Sequence, residues 1–264
     1  MTEDPIGRGR TAEIFQRGDG QILKLYLAWC PPEWVDREAR MTRAAYEAGV
    51  PVPAMIDVIE QDGRRGIIFE RVTGLSMLDD FRTKPWHLVH SAHLLAELHA
   101  AVHTRQIPDL PSLRQSLAYR IEGAALAEKL KSAALQALAQ LPDGNAVCHG
   151  DFHPDNVILS PRGPIIIDWM TVNHGHPLAD VARTVVILSV GEPPPGVPNR
   201  SLLMLGRDLF RELYMRRYEQ LRHVTRTEID DWLLPVAVAR TREDIPNERR
   251  PLAALIESLA SRHV

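Results

Sequence analysis

Short β patterns dominate the N-terminal part of the chain, and helical spacing takes over from His87. Ile6 to Phe15 reads as strand, glycine-bearing turn and strand. Arg17-Gly18-Asp19-Gly20 then signals a hairpin into the strand Gln21 to Tyr26. Glu33 to Ala48 has helical spacing, with Trp34, Ala39 (or Met41), Ala45 and Ala48 as its apolar positions. Gly49-Val50-Pro51-Val52-Pro53 stops that helix. Two strands follow, Ala54 to Glu60 and Gly66 to Phe69, joined by a turn at Gln61 to Arg64. From His87 to Pro142 the pattern is helical: Leu88, Ala92, Leu95, Leu98 (or His99) and Val102 recur on one face. The Ala- and Leu-rich stretch from Leu113 to Leu141 fits one long helix or two shorter ones.

The stretch Val147 to Asp168 (VCHGDFHPDNVILSPRGPIIID) breaks the helical run. It reads as strand, loop, strand Val157 to Leu159, tight turn, and strand Ile165 to Ile167. Another helix opens at His176-Pro177, Leu202 to Leu221 is amphipathic and arginine-rich, and Ile229 to Val264 supplies closing helices. The proline-rich loop Gly191 to Pro198 carries no sign of a domain boundary, and there are no internal repeats.

With 264 residues, the chain can bury a sizeable core in one domain or in two lobes. Its 45% apolar and 25% charged residues are ordinary for a globular protein. A net charge of −3 gives no basic excess for nucleic acid. Two cysteines, Cys30 and Cys148, make neither a disulfide framework nor a zinc quartet, which fits a reducing compartment. The N-terminal MTEDPIGRGR has no apolar signal core, and the apolar run Val185 to Leu188 is far too short to span a bilayer. These features predict a soluble, cytoplasmic protein without membrane or nucleic-acid partners. They set no oligomeric state.

The candidate chemistry lies around Asp151. An Asp followed five residues later by Asn156, with Asp168 ending the next strands, is the spacing of a phosphoryl-transfer site. In such a site Asp151 orients and deprotonates a hydroxyl, while Asn156 and Asp168 offer hard oxygen donors to Mg²⁺. Taken singly, Asp151 also fits a turn aspartate bound to backbone amides. Gly7 and Gly9 let a backbone approach a phosphate closely, although such turns are common in hairpins. Lys24 by itself reads as an outward-facing strand lysine. His99 and His103 stand four apart, as in some zinc sites, but with no HExxH and no evident third ligand they read as core or surface histidines. The alternation His149, Asp151, His153, Asp155 admits a metal-dependent hydrolase, a reading that leaves Lys24 and Glu38 without a role.

At these residues the chain resembles the aminoglycoside phosphotransferase and choline-kinase-like family of small-molecule kinases. Gly150 stands where protein kinases have the Arg of their HRD loop, and Asp168-Trp169-Met170 replaces DFG. Both departures are usual for the family and argue against a protein kinase. The resemblance implies an α+β, bilobal protein-kinase-like fold. Residues 1–72 would form a small antiparallel β lobe with one helix that binds nucleotide, and residues 73–264 a larger, mainly helical catalytic and substrate-binding lobe. It further implies ATP and Mg²⁺ as cofactors, with Gly7, Gly9 and Thr11 near the phosphates and Lys24 on the α- and β-phosphates, held by Glu38. Phe69 would stand behind the adenine, with the backbone of Glu70 and Val72 on its edge, and Gly74 at the hinge. Asp180, which alone reads as a helix N-terminal charge, would brace the loop at Asp151. The usual third glycine of the turn is missing, with Ala12 near its place. The implied activity is γ-phosphoryl transfer to the hydroxyl of a small molecule: an antibiotic, an amino alcohol or a sugar. A nucleotide-binding protein without transfer is the alternative. Seven arginines between Arg200 and Arg226, against Asp208, Glu212 and Glu219, lean against a polycationic acceptor.

Overall fold

The structure, a computed structural model, describes residues 4–18, 20–191 and 200–261. Asp19 of the hairpin signal, most of the proline-rich loop and the last three residues lie outside the described residues. The chain divides into two compact units, residues 1–80 with 155–172, and residues 81–154 with 173–264.

The first unit is built on a five-stranded antiparallel sheet in the order β1-β2-β3-β5-β4. The strands are β1 (Gly7–Arg8), β2 (Ala12–Arg17), β3 (Gln21–Tyr26), β4 (Met55–Gln61) and β5 (Arg64–Glu70). Side chains of a strand alternate between faces, and β3 divides accordingly. Ile22 and Tyr26 pack in a cluster with Ala12, Val35, Ala39, Ile67 and Phe69, while Leu23 and Leu25 join Ile68 in another. Lys24 shares the parity of Ile22 and Tyr26, so it lies on the face covered by helix α1 (Pro32–Glu47).

Helix α1 starts on Pro32, where a missing N–H costs nothing. It ends where Gly49 takes a φ of 73° and Val50 N–H reaches back to the Ala45 carbonyl at 3.0 Å. Its buried stripe is Val35, Glu38, Ala39, Thr42 and Ala45. The expected positions Ala39, Met41 and Ala45 are buried, whereas Trp34 is 40% exposed and Val35 takes its place at the start of the stripe.

The remaining strands of this unit, β6 (Leu75–Ser76), β8 (Val157–Ser160) and β9 (Gly163–Ile166), form a second small sheet. Gly74 precedes β6 with a φ of 147°, and a Cβ there would stand 2.2 Å from the Leu159 carbonyl oxygen. Glycine at 74 thus has a packing cause inside this unit.

The second unit is helical. After α2 (Met77–Thr83) come α3 (Leu88–Val102), α4 (Leu113–Glu122) and α5 (Glu128–Gln140), so the stretch from Leu113 forms two helices. A short antiparallel pair, β7 (Ala146–Cys148) with β10 (Asn173–Gly175), precedes α6 (Pro177–Val190). The chain closes with α7 (Arg200–Arg222), α8 (Arg226–Asp230), α9 (Leu233–Arg240) and α10 (Arg249–Ala260). Helix α6 is buried almost all round, as a helix at the centre of a helical unit must be. Helices α7, α8, α9 and α10 pack against it. No helix among the described residues is long and apolar enough to cross a membrane.

Gly74→Ala is expected to destabilise the fold by on the order of 1–3 kcal/mol, since a methyl must displace backbone at Leu159. Urea unfolding checks this, and an unchanged midpoint would refute the packing account of Gly74.

Candidate active site

In the first unit three charged side chains meet. Lys24 Nζ lies 2.6 Å from Glu38 Oε1 and 3.2 Å from Asp168 Oδ1. Tyr26, two residues on from Lys24 and therefore on the same face, donates its hydroxyl to Glu38 Oε2. Both Glu38 oxygens are thereby occupied, which compensates for burying the carboxylate at 1% exposure. Burial alone would lower the Lys24 pKa. Asp168 and Glu38 outweigh it and raise the ammonium above its ordinary value, so Lys24 is a permanent cation. The lone-lysine reading is thus replaced by a buried ion pair.

Asp168 follows β9 with a left-handed φ of 67°, unusual outside glycine and tolerated by aspartate. Asn156 immediately precedes β8. Val157 pairs with Ile166, and Ile167 N–H donates to the Asn156 carbonyl at 3.0 Å, so Asn156 and Asp168 share the open end of the β8–β9 hairpin. Trp169 is fully buried and donates its indole N–H to the Ile166 carbonyl.

Gly7 and Gly9 flank the turn closed by Gly9 N–H on the Ala12 carbonyl at 2.8 Å, and the Thr11 carbonyl accepts from Leu27. A Cβ at Gly7 or Gly9 would make only ordinary contacts, at 3.7 and 3.4 Å. Phe69 is buried in the cluster beside Tyr26. The Glu70 N–H is bound to the Ala54 carbonyl at 3.0 Å, and its carboxylate accepts from Ala54 N–H and Arg162. Val72 follows β5 and is half-buried.

In the second unit, Asp180 sits in the first turn of α6 and is 2% exposed. Its Oδ2 accepts His149 N–H at 2.5 Å and its Oδ1 accepts Gly150 N–H at 2.8 Å. Three and four residues later on the same helix face, the Arg183 Nε donates to the Gly150 carbonyl and Thr184 Oγ1 donates to the Phe152 carbonyl at 2.7 Å. One face of α6 therefore clamps both donors and acceptors of the 149–152 backbone. Asp151, held in this loop, is 3.5 Å from His153 Nε2 and 3.5 Å from Arg183. Burial would raise its carboxyl, but His153 and Arg183 outweigh burial and hold it below the usual carboxylate range. The His149 ring accepts the Asp151 N–H at 3.2 Å, in keeping with a supporting role in the loop.

Asp180 also receives two imidazoles, at 3.0 Å from His99 Nε2 and 3.4 Å from His103 Nε2. The opposite ring nitrogens bond to the Tyr214 and Tyr218 hydroxyls at 2.6 and 2.7 Å. Sequence spacing offered these histidines no third partner; the fold supplies Asp180. With Tyr O–H donating to Nδ1 and Nε2–H to Asp180, every group is satisfied without a metal. Among the described residues, the group with metal-ligand geometry is this trio, and not the alternation His149, Asp151, His153, Asp155. Arg183 and Thr184 went unnoticed in the sequence. Their signal was three hydrogen-bonding residues at i, i+3 and i+4 within an otherwise apolar helix.

The chain belongs to the phosphotransferase enzyme family, whose model matches residues 2–232. It is 27% identical over 186 residues to an aminoglycoside 3'-phosphotransferase of Streptomyces fradiae, a match covering 60% of this chain and 66% of that relative, just under two thirds of its length. A thermostable mutant of aminoglycoside phosphotransferase APH(4)-Ia, solved as a ternary complex with AMP-PNP and hygromycin B, is similar with a TM-score of 0.68 at 14% identity. That match covers 98% of this chain and 92% of that one. A choline/ethanolamine kinase family protein from Mesorhizobium loti is similar with a TM-score of 0.51 at 18% identity, covering 96% of this chain and 92% of that one. The expected α+β, protein-kinase-like fold and the family resemblance are both borne out.

The burial that keeps the His103 ring neutral holds it down to about 4, against an ordinary 6.5. Between these values the unfolded chain binds a proton that the folded one refuses, so stability falls as pH drops through this window. His103→Gln is expected to flatten that slope while losing on the order of 1–3 kcal/mol at neutral pH. Urea unfolding of both proteins at several pH values checks this, and parallel slopes would refute it.

Proposed function

We propose that this protein is an ATP- and Mg²⁺-dependent small-molecule kinase that transfers the γ-phosphoryl group to a substrate hydroxyl. The observation that carries the reading is the buried Lys24–Glu38 pair at 2.6 Å, with Asp168 at 3.2 Å, in a member of the phosphotransferase enzyme family. A lysine that only filled a strand surface would need neither carboxylate. In this reading Lys24 contacts the α- and β-phosphates and Glu38 holds it, with Tyr26 fixing Glu38. Gly7, Gly9 and Thr11 lie along the phosphates. The fold itself has no steric need for glycine at 7 and 9, which supports an outside cause. Glu70 and Val72 meet the adenine edge through backbone groups.

Asn156 and Asp168 fit Mg²⁺: a neutral and an anionic oxygen donor at one hairpin end are hard ligands of the kind that ion takes. When bound, Mg²⁺ supplies positive charge against the phosphate oxygens. Asp151 orients the acceptor hydroxyl and accepts its proton. A carboxylate held this acidic is a weak base, so orientation is its larger contribution, as suits a loose transition state with late proton loss.

Residues 1–72 carry the nucleotide contacts and residues 73–264 the catalysis and the acceptor. The arginines of α7 and α8 are largely spent in ion pairs: Arg216 with Glu212, Arg217 with Glu97, and Arg226 with Glu212 and Glu219. Their number is therefore no argument against a cationic acceptor, and antibiotics, amino alcohols and sugars all belong on a test panel. Free Cys30 and Cys148 suit a cytoplasmic location.

ADP release from Mg·ATP across aminoglycosides, macrolides, choline, ethanolamine, homoserine and simple sugars is expected to show dependence on one acceptor class. Asp151→Asn should lower it about 10²- to 10⁴-fold with ATP affinity nearly unchanged. Full turnover in Asp151→Asn would sink the assignment. Asp168→Ala is expected to lose the Mg²⁺ dependence of ATP binding in a calorimetric titration; identical Mg²⁺ curves for both proteins would remove Asp168 from the metal site.

A further inference from the structure

Behind Asp151 lies a charged network centred on Arg183. Arg183 is 7% exposed, and its guanidinium is shared three ways. Nε donates to the Gly150 carbonyl, Nη2 lies 2.7 Å from Glu243 Oε1, and the same Nη2 is 3.5 Å from Asp151 Oδ1. Glu243, just beyond α9, is in turn gripped by Arg120 of α4 at 2.5 Å and Arg240 of α9 at 3.2 Å. Arg240 completes the chain by a two-pronged pair with Glu248 at 2.7 Å.

A buried guanidinium is costly unless all its donors are directed. Here Nε is directed at the carbonyl immediately before Asp151, and Nη2 at the Asp151 carboxylate and at an anchor drawn from α4 and α9. The planar fork matters, because it directs several donors in fixed directions from one rigid group, whereas a lysine offers a single ammonium centre on a flexible stem. An arginine whose only task was to fill α6 packing would not need to face a half-buried aspartate.

We propose that Arg183 is a positioning residue for Asp151: anchored by Glu243, it fixes the backbone at Gly150 and supplies the cation that the Asp151 carboxylate faces. The proposal rests on Asp151 being the residue that receives the acceptor hydroxyl, and it adds how that residue is held. The charged groups that face Asp151 are His153 on its own loop, Arg183 on α6 and Arg240 on α9; those that face Arg183 are Asp151, Asp180, Glu243 and, beyond Glu243, Arg120. Removing Arg183 deletes the nearest permanent cation, and the carboxylate then ionises at higher pH.

The test is a ¹³C-carboxylate NMR titration of the full chain, with the Asp151 signal assigned as the one missing from Asp151→Asn. In Arg183→Gln the midpoint is expected to rise by about one unit or more; in Arg183→Lys it should stay within a few tenths of wild type. With an acceptor from the panel, Arg183→Gln should lower kcat about 10- to 100-fold with the KM for ATP within about twofold. Arg183→Lys keeps the buried charge and guards against a variant that fails to fold; it should lower kcat several-fold, since it cannot span Gly150 and Glu243 together. An unmoved Asp151 midpoint in Arg183→Gln overturns the proposal, as does wild-type kcat in Arg183→Lys. Failure of the kinase reading would show separately, as no acceptor-dependent ADP release from the wild-type protein, and failure of the Asp151 assignment as turnover that survives Asp151→Asn.

Discussion

A buried carboxylate is tolerated only where every lone pair finds a donor, and Asp180 is the constraint around which the second unit is arranged. Its two oxygens take two backbone amides and two imidazoles, and each imidazole is fixed from behind by a tyrosine hydroxyl. Three segments of the chain, α3, α7 and the loop leaving β7, are thereby tied to a single side chain of α6. Break one donor and an anion is left short of partners in a water-free core. That penalty, larger than the net worth of any one bond, makes the arrangement cooperative.

The same logic recurs in the first unit with the sign reversed. Lys24 is a cation buried between Glu38 and Asp168, and Tyr26 occupies the oxygen of Glu38 that Lys24 leaves. Each unit thus surrounds one charged group with a closed set of partners, and in each the residues proposed for chemistry are neighbours of that group. The proposed site residues stand on backbone held by buried polar contacts, which keeps them in place while their tips remain open to solvent: Asp151 and Asp168 are 28% and 40% exposed. The arrangement preorganises donors and charges, and the phosphoryl transfer proposed for it would rely on such positioning more than on covalent chemistry.

Arginine plays two different parts. Along α7 and α8 it forms exposed or half-buried surface pairs with Glu97, Glu212 and Glu219, each worth little. In Arg183 it is buried, forked and anchored, and there its geometry rather than its number carries weight.

What the sequence determined by itself was local and periodic. The hairpin signal marked β3 and spacing marked the helices; the interval from Asp151 to Asn156 to Asp168, with strands between, pointed to the chemistry proposed for the site. Long-range partnerships were not legible. Trp34 looked like a core position and is exposed, because the phase of a helical stripe is set by the sheet it covers and not by the helix. His99 and His103 looked partnerless, since Asp180 and the two tyrosines lie far along the chain. Arg183 and Thr184 looked like ordinary helix residues until α6 was packed against the 149–152 loop. Periodicity follows from the backbone of each element, whereas the choice of partner follows from burial, and burial exists only once the elements have met.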